Sequence, residues 1–255
     1  MRQPNVRTRR KVVGALTKYA KKLDWARPTQ KSKIFSGFAA NSFLLGVMLD
    51  RNVVAQRAWD AGKWINKSLG RRKNVAAVWE NLQSMEPRRL EGFMRYGYRG
   101  RAFHRHYKRM ASALRGCAGT ILNKYKGDPR KIWNVQRNVG KVVDDLQQLS
   151  GIGPALSRMA VLILVRDHGL LGGKKALKDL DIKPDIHVMR VFKRAGLIEK
   201  NGSKKDAIAA ARKFAPRFPG ALDPPAWEIG RSWCRPSNPK CDDCPIGSVC
   251  PRFVS

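Results

Sequence analysis

Hydrophobic residues recur at intervals of three and four positions along most of this chain, a spacing that puts apolar side chains on one face of an α-helix. The pattern is clear in residues 75–82, whose apolar members on one face are Val75, Val78, Trp79 and Leu82. Similar segments cover residues 43–49, 108–124 and 141–149. Convincing alternation of apolar and polar residues, which is typical of a β-strand, is missing. The pattern therefore predicts an all-α fold.

Glycine and proline interrupt this pattern and indicate how the chain is divided. Gly127-Asp128-Pro129 predicts the end of one helix and the start of another, with Asp128 as the N-cap and Pro129 in the first turn. After residue 166 the composition changes to glycines followed by a lysine-rich stretch. We therefore predict a helical domain over residues 41–168, and a second helical domain in which residues 1–40 join residues 169–255.

The large positive net charge of the chain indicates a class of binding partner. There are 52 Lys and Arg against 19 Asp and Glu, a formal net charge of +33 among 255 residues. Such a surplus repels itself unless a polyanion is the normal partner, and nucleic acid fits best because each neutralised phosphate releases counterions. A generally basic surface, a membrane or a ribosome also accounts for the charge alone.

Two negative observations narrow the cellular setting that we expect. The longest apolar run, residues 159–165, is too short to cross a bilayer. The basic N-terminus has no continuous apolar segment with a small-residue cleavage site after it, so no signal peptide is predicted. These observations predict an intracellular protein without a membrane partner. We further expect it to act as a monomer in the cytoplasm, in association with the nucleoid.

Four cysteines near the C-terminus form the sharpest local motif, with the spacing Cys-x6-Cys-x2-Cys-x5-Cys: Cys234, Cys241, Cys244 and Cys250. Four thiolates this close need a cation, and a reducing compartment disfavours two disulfides. Zinc and a [4Fe–4S] cluster both accept four cysteines, but zinc sites usually have two separated Cys-x-x-Cys pairs. The single close pair favours the cluster, which we expect to fold the loop 234–250 rather than perform redox chemistry. Cys117 lies in a helical pattern and is expected to be a buried core residue.

A glycine turn lies between an amphipathic segment and the apolar run. Gly151-Ile152-Gly153 predicts a tight hairpin, because glycine permits positive φ and lets another backbone approach closely. The next helix starts there, so its free N–H groups point outward, and a DNA phosphate is the natural ligand. The alternative is an ordinary helix–helix turn packed in the core.

Asp185 is the candidate catalytic residue. It follows Pro184 at a predicted helix start, where an aspartate is commonly no more than an N-cap. A carboxylate close to a phosphate-binding hairpin is also what cleavage of a glycosidic bond needs. The departing base leaves positive charge on the sugar, which an anion stabilises while it orients the attacking water.

These motifs together resemble the endonuclease III and adenine-glycosylase branch of the helix-hairpin-helix DNA glycosylases, over about residues 40–255. They come in the family's order: residues 149–153, then Asp185-x-His187-Val188-x-Arg190-Val191, then the four-cysteine loop. The resemblance implies a two-lobed all-α fold whose barrel domain ends in the helix-hairpin-helix, a [4Fe–4S] loop and a cleft for duplex DNA. It also implies that the damaged or mismatched base is flipped out of the stack.

The same resemblance implies roles for single residues. Asp185 is the catalytic aspartate, and Gly151, Ile152 and Gly153 form the DNA-binding hairpin. His187 and Arg190 orient and support the aspartate helix. Asn52 falls where the family often has a glutamine that fills the gap left by the flipped base, although a helix cap explains it equally well.

One departure from the family changes the expected reaction. Bifunctional members carry a lysine two residues after the second hairpin glycine, where this chain has Ala155. We therefore expect a monofunctional glycosylase that uses water and leaves an abasic site. The alternatives are a lyase with a displaced lysine, such as Lys174 or Lys175, and a DNA-binding protein without catalysis. The excised base, whether uracil, an alkylated base or an oxidised base, stays open.

Overall fold

The computed structural model describes residues 4–23, 36–51, 53–134 and 138–253. Within these ranges the chain forms α-helices and short 3-10 helices, with no β-strand beyond two isolated bridges that each close a turn. The all-α prediction is therefore confirmed. None of the described helices combines the length and the apolar character that crossing a membrane requires.

The α-helices are, in chain order, α1 (Val6–Ala20), α2 (Gly37–Leu49), α3 (Ala55–Leu69), α4 (Ala77–Ser84), α5 (Pro87–Tyr96), α6 (Tyr107–Tyr125), α7 (Val139–Gln147), α8 (Pro154–Arg166), α9 (Ile186–Arg194), α10 (Lys204–Phe214) and α11 (Asp223–Ser232). Short 3-10 helices cover Pro129–Ile132, Gly173–Asp179 and Pro219–Leu222. The four segments identified from the hydrophobic pattern fall on α2, α4, α6 and α7.

The chain divides into two compact units. One comprises Lys33–Ala160, and the other comprises Met1–Ser32 together with Val161–Ser255. The boundaries predicted from the sequence lie at residues 40 and 168, and those limits stay a prediction.

Helix α2 is the most buried element of the unit Lys33–Ala160. It is apolar on all sides, and nine of its 13 residues are buried. A helix of this composition is stable only inside a core. Helix α3 packs against it at Gly62, where a Cβ atom would lie 2.5 Å from the backbone nitrogen of Gly46. Because a Cβ atom cannot come that close, glycine at this position lets the two helices approach directly.

The helix break at Asp128 forms as the sequence indicates. The Asp128 carboxylate accepts a hydrogen bond from the backbone N–H of Arg130 at 3.0 Å, and Pro129 occupies the first position of the helix. The helix that follows is a 3-10 helix, Pro129–Ile132, rather than an α-helix. The Arg130 guanidinium also forms an ion pair with the Asp128 carboxylate at 2.7 Å. The predicted N-cap at Asp128 is confirmed.

The other unit has its own core, formed by α1 and the helices α9, α10 and α11. Val12 and Leu16 of α1 are fully buried in the same cluster as Val188 and Phe192 of α9 and Ile229 of α11. Helices α9 and α11 approach closely, because a Cβ atom at Gly230 would lie 2.7 Å from the backbone oxygen of His187. This packing fixes the start of α9, where Asp185 lies.

Candidate functional site

The glycine hairpin connects α7 to α8 and is a tight turn. Leu149 and Ile152 are buried, with 1% and 4% of their surface exposed, and the Ile152 N–H donates to the Leu149 carbonyl at 3.0 Å. Gly151 has φ +90°, a conformation that L side chains rarely adopt. A Cβ atom there would also lie 3.0 Å from the Ala113 side chain. The fold therefore requires glycine at residue 151.

Gly153 occupies a different environment from Gly151. It is exposed, its φ is not in the left-handed region, and a Cβ atom would meet no protein atom within 4 Å. Nothing in the described chain therefore demands glycine at this position. The open space in front of Gly153 is available to a ligand that approaches the backbone.

Helix α8 begins directly after Gly153. Its first-turn amides, those of Ala155 and Leu156, precede the first intrahelical hydrogen bond, which runs from the Ser157 N–H to the Gly153 carbonyl at 3.0 Å. The Ile152 side chain is buried and its amide is used within the turn. Of the residues predicted to bind DNA at the hairpin, Gly153 is thus the one whose surroundings are open.

A polar cavity of about 620 Å³ lies beside the hairpin. Besides residues 149–153, its lining includes two arginines and three uncharged polar side chains of the same unit: Arg51, Arg109, Ser112, Gln147 and Gln148. Guanidinium, amide and hydroxyl donors around an open space suit an anionic ligand such as a phosphate. The cavity therefore extends the anion-binding character of the hairpin.

Asn52 lies outside the described residues, but its preceding neighbour is firmly held. Nε2 of the buried His104 lies 2.7 Å from the Arg51 carbonyl, and Nδ1 accepts from the His106 N–H at 3.0 Å. Because Nδ1 accepts, the ring proton lies on Nε2 and donates to Arg51. Burial lowers the pKa of His104 below its ordinary value.

Asp185 is the N-cap of α9. One carboxylate oxygen, Oδ1, accepts from the backbone N–H groups of His187 at 2.9 Å and of Val188 at 3.0 Å. Among the described residues, the second oxygen, Oδ2, has no hydrogen-bond partner. The capping interpretation is therefore correct, and it leaves half of the carboxylate available. The adjacent Ile186 side chain is 71% exposed.

Arg190 links the aspartate helix to two other segments. Its Nη2 atom lies 3.0 Å from Nδ1 of His187 and 2.7 Å from the Gly230 carbonyl, and its Nε donates to the Cys234 carbonyl at 2.5 Å. His187 also contacts the Trp227 ring edge-on, with 6.2 Å between the ring centroids. Burial lowers the pKa of the Arg190 guanidinium. These contacts hold the start of α9 against α11.

Asp223, the first residue of α11, belongs to this site and was missed in the sequence analysis. It is 8% exposed, and its carboxyl accepts a hydrogen bond from the backbone N–H of Lys183, two residues before Asp185. Burial raises the pKa of Asp223 to about 7. The sequence carries a partial signal, since Asp before two prolines marks a helix start, but nothing in it indicates a partner 40 residues away.

The four cysteines of the loop 234–250 all have free thiols and line one cavity of about 30 Å³ together with the apolar side chains of Val191, Ile229 and Ile246. Four sulfur ligands around one space are the donor set of [4Fe–4S] clusters. Among the described residues, however, no three His, Cys, Asp or Glu side chains are arranged to hold a metal ion. The four thiols are thus suitable ligands for the cluster, but in the described residues they are not arranged around a metal position.

Burial also affects individual thiols. It raises the pKa of Cys250 to about 11 and that of Cys244 above its ordinary value. Cys117, far along the chain from the loop, is fully buried and its pKa is raised to about 12. The expectation that Cys117 is a core residue is confirmed.

Comparison with known proteins gives relatives of one kind, although no family model matches the chain. The chain is 27% identical over 152 residues to the chloroplastic endonuclease III homolog 1 of Arabidopsis thaliana, covering 57% of this chain and 35% of the relative. It is 35% identical over 74 residues to the adenine DNA glycosylase of Schizosaccharomyces pombe, covering 27% of this chain and 16% of the relative. The matches thus span about a third or less of these curated relatives.

Solved structures agree over nearly the whole chain. A non-covalent endonuclease III–DNA complex superposes with a TM-score of 0.65 at 18% identity, covering 96% of this chain and 95% of that chain. A thermostable thymine-DNA glycosylase superposes with a TM-score of 0.61 at 17% identity, covering 97% of both chains. The chain and these two solved proteins therefore share one fold.

The fold is therefore similar to that of solved endonuclease III and thymine-DNA glycosylase structures. The sequence similarity is to endonuclease III homologues and to an adenine DNA glycosylase.

Proposed function

We propose that this chain is a monofunctional DNA N-glycosylase of base excision repair, which hydrolyses the bond between a damaged or mispaired base and its deoxyribose. The observation that carries the proposal is the Asp185 carboxylate. It is held by two backbone amides through Oδ1, and its Oδ2 has no protein partner among the described residues. The names of the sequence relatives, endonuclease III homologues and an adenine DNA glycosylase, support the same reaction class.

Binding of duplex DNA is the first step of the proposed reaction. The net charge of +33 attracts the phosphate backbone irrespective of sequence. The exposed Gly153 and the first-turn amides of α8 then bind one phosphate, because the positive end of a helix dipole favours an anion. Arg51 and Arg109, on the neighbouring cavity wall, provide further positive charge. These contacts fix the position of the DNA without reading its bases.

The chemical step follows extrusion of the target nucleotide from the stack. The C1′–N bond breaks, and its electron pair leaves with the base. The positive charge that develops on the sugar is stabilised by the negative charge of Asp185. A water molecule, hydrogen-bonded to Oδ2, adds its oxygen to C1′ and passes a proton to the carboxylate. The departing base takes up one proton from solvent, and the carboxyl group releases its proton to solvent, which regenerates the carboxylate. The products are the free base and an abasic site in an intact strand.

Ala155 is the reason that we propose hydrolysis and not strand cleavage. Its methyl side chain has no nucleophile, so no amine from this position attacks C1′. Lys174 and Lys175 are exposed on the 3-10 helix Gly173–Asp179, and they are the candidates for a displaced lyase nucleophile. Reduction with borohydride traps any covalent amine intermediate, so it separates the two mechanisms.

The proposal includes a [4Fe–4S] cluster held by Cys234, Cys241, Cys244 and Cys250. When bound, such a cluster supplies four iron–thiolate bonds that fold a segment too short to build its own core. The chain's own contribution is the contact between Arg190 and the Cys234 carbonyl, which connects the loop to the aspartate helix. A monomer acting on chromosomal DNA of the cytoplasmic nucleoid completes the proposal.

A panel of duplexes, each with one lesion or mismatch, tests the proposed activity. The protein is incubated with each duplex, and half of each sample is then heated in alkali, which breaks the strand at abasic sites. We expect breaks that need alkali and that disappear with Asp185→Asn. Breaks without alkali, together with borohydride trapping, contradict hydrolysis and support the lyase. Tight binding without any excision supports a DNA-binding protein instead.

The cofactor has a separate test. Protein purified without oxygen is expected to be brown, with broad visible absorbance and about four irons per chain. A colourless protein that contains one zinc ion contradicts the cluster. Cys117→Ser should leave the visible absorbance unchanged, because this buried cysteine lies outside the loop.

A further inference from the structure

Asp223 is a buried carboxyl group whose position its own helix does not explain. It begins α11, and the next two residues, Pro224 and Pro225, have no backbone N–H to donate. The carboxyl instead accepts from the N–H of Lys183, on the segment that leads into α9. An aspartate is costly to bury, and this one is 8% exposed.

The hydrogen bond to Lys183 acts on the segment that carries Asp185. Lys183 is linked to Asp185 by a second hydrogen bond, from the Asp185 N–H to the Lys183 carbonyl at 2.7 Å. Pro184, between them, is buried and has a fixed φ. Both backbone groups of Lys183 are therefore used, one toward Asp223 and the other toward Asp185. Displacing the Asp223 carboxyl removes one of the two anchors of this turn.

Charged groups from three segments surround Asp223. Lys183 belongs to the turn, Asp185 to the start of α9, and Arg166 to the end of α8, and each contributes to the electrostatic environment of the Asp223 carboxyl. The Arg166 guanidinium is itself held by Asp167, at 2.5 and 2.8 Å. Burial has the largest effect and keeps the Asp223 carboxyl protonated well above the ordinary range of an aspartate pKa.

We infer that Asp223 is a positioning residue for the candidate catalytic aspartate: its carboxyl anchors the Lys183 amide and adds a second acidic group beside Asp185. This inference rests on the proposed function. When Asp223 ionises, it becomes a stronger acceptor for the Lys183 N–H and adds negative potential where positive charge develops on the sugar. The excision rate is therefore expected to rise as the pH passes through the pKa of Asp223.

Two variants separate anchoring from ionisation. Asp223→Asn keeps an oxygen acceptor for the Lys183 N–H and cannot ionise, whereas Asp223→Ala removes both functions. Under single-turnover conditions with saturating protein, we expect Asp223→Ala to lower the excision rate by about tenfold to a hundredfold with DNA affinity unchanged. Asp223→Asn should stay within about threefold of the native rate below the pKa and lack the rise in rate at higher pH.

The control is Asp206→Asn, which alters a capping aspartate on α10 of the same unit that has no contact with the turn 183–185 among the described residues. It should keep the native rate and pH profile. A native rate and pH profile in Asp223→Ala overturns the inference. Equal losses of rate, DNA affinity and thermal stability in both Asp223 variants also overturn it, because they indicate a general structural role.

One measurement does not depend on enzymatic activity. The backbone amide of Lys183 should exchange its hydrogen faster in Asp223→Ala than in the native protein, and at a near-native rate in Asp223→Asn. If the native protein excises no lesion but the exchange rates follow this order, the proposed function fails and the anchoring survives. If Lys183 exchanges equally in all variants, the anchoring itself is wrong.

Discussion

Helices α8 and α9 both start at a proposed functional site, but their N-termini are completed in opposite ways. Gly153 precedes α8 and has no side chain that could cap the first-turn amides, and the space that a Cβ atom would occupy is open. Asp185 precedes α9, and its carboxylate accepts from two of the first-turn amides. The same partial positive charge therefore serves two purposes. At α8 it is available to an external phosphate, and at α9 it holds an internal carboxylate.

The largest expected effect tests the internal carboxylate. Asn is as good an N-cap as Asp, so Asp185→Asn should leave thermal stability and DNA affinity unchanged while the excision rate falls by about a thousandfold or more. Asp185→Ala should lose the same rate and, in addition, about 1 kcal/mol of stability, because it removes the cap. Single-turnover kinetics and thermal unfolding measure the two effects. Asp128→Asn, another N-cap substitution, is the control for the rate: it should keep the native excision rate, although it loses the ion pair between Asp128 and Arg130.

The second prediction concerns the open helix start and its two glycines. Gly151→Ala should lower the free energy of unfolding by about 2 kcal/mol, because it combines a positive φ with a close contact at Ala113. Denaturant unfolding of the two single variants measures this difference. Gly153→Ala should change stability by less than about 0.5 kcal/mol.

Gly153→Ala should instead weaken binding to undamaged duplex by about tenfold, because the added methyl group occupies the space in front of the open amides. Fluorescence anisotropy at a fixed salt concentration measures the affinity. Native-like binding by Gly153→Ala would contradict a phosphate at this helix start, and equal destabilisation by both alanines would contradict the distinction between the two glycines.

A third prediction compares one buried titratable group from each unit. Burial lowers the pKa of His104, so its stabilising contribution is present above the unfolded value of 6.5 and is lost as the pH falls below it. Burial raises the pKa of Asp223 from 3.8 to about 7, so its contribution to stability decreases as the pH rises through that window.

His104→Gln and Asp223→Asn should therefore change the pH dependence of the free energy of unfolding in opposite directions. Denaturant unfolding between about pH 4 and 8 should show a shallower loss on the acid side for His104→Gln and a shallower loss toward neutral pH for Asp223→Asn. Identical pH profiles in the native protein and both variants would show that neither group titrates in these windows.

The smallest expected effect concerns the cavity beside the hairpin. Arg109→Gln should reduce the slope of log affinity against log salt by about one, because one phosphate contact is lost. Anisotropy titrations at several salt concentrations give the slope. Arg212→Gln is the control, since this arginine is paired with Asp181 at 2.8 Å within the protein. An unchanged slope for Arg109→Gln would show that this wall of the cavity does not bind a DNA phosphate.

The sequence predicts this molecule well where the determinants are local. The period of the apolar residues finds α4, α6 and α7 to within about two residues, because each has one apolar face. It finds only the C-terminal part of α2, since a helix that is apolar on all sides has no face to mark its first turn. The Asp128 N-cap is predictable for the same reason, as its partner lies two residues away.

Contacts between distant segments are what the sequence does not reveal. The partners of Arg190 include carbonyls 40 and 44 residues away, and Asp223 reaches across a similar separation to Lys183. The difference between Gly151 and Gly153 is equally invisible in the motif, since it depends on φ and on the neighbouring Ala113. These features depend on which segments the fold brings together in space, and the spacing of residues along the sequence does not show this.

The guanidinium of Arg190 connects three segments of the chain. By contacting His187, the Gly230 carbonyl and the Cys234 carbonyl at once, it connects α9, the end of α11 and the first cysteine of the loop. Asp185 lies at the start of α9. A displacement of the Cys234 carbonyl would therefore also disturb the contacts of Arg190 with α9, and a lysine, with its single ammonium group, could not form all three contacts in this geometry.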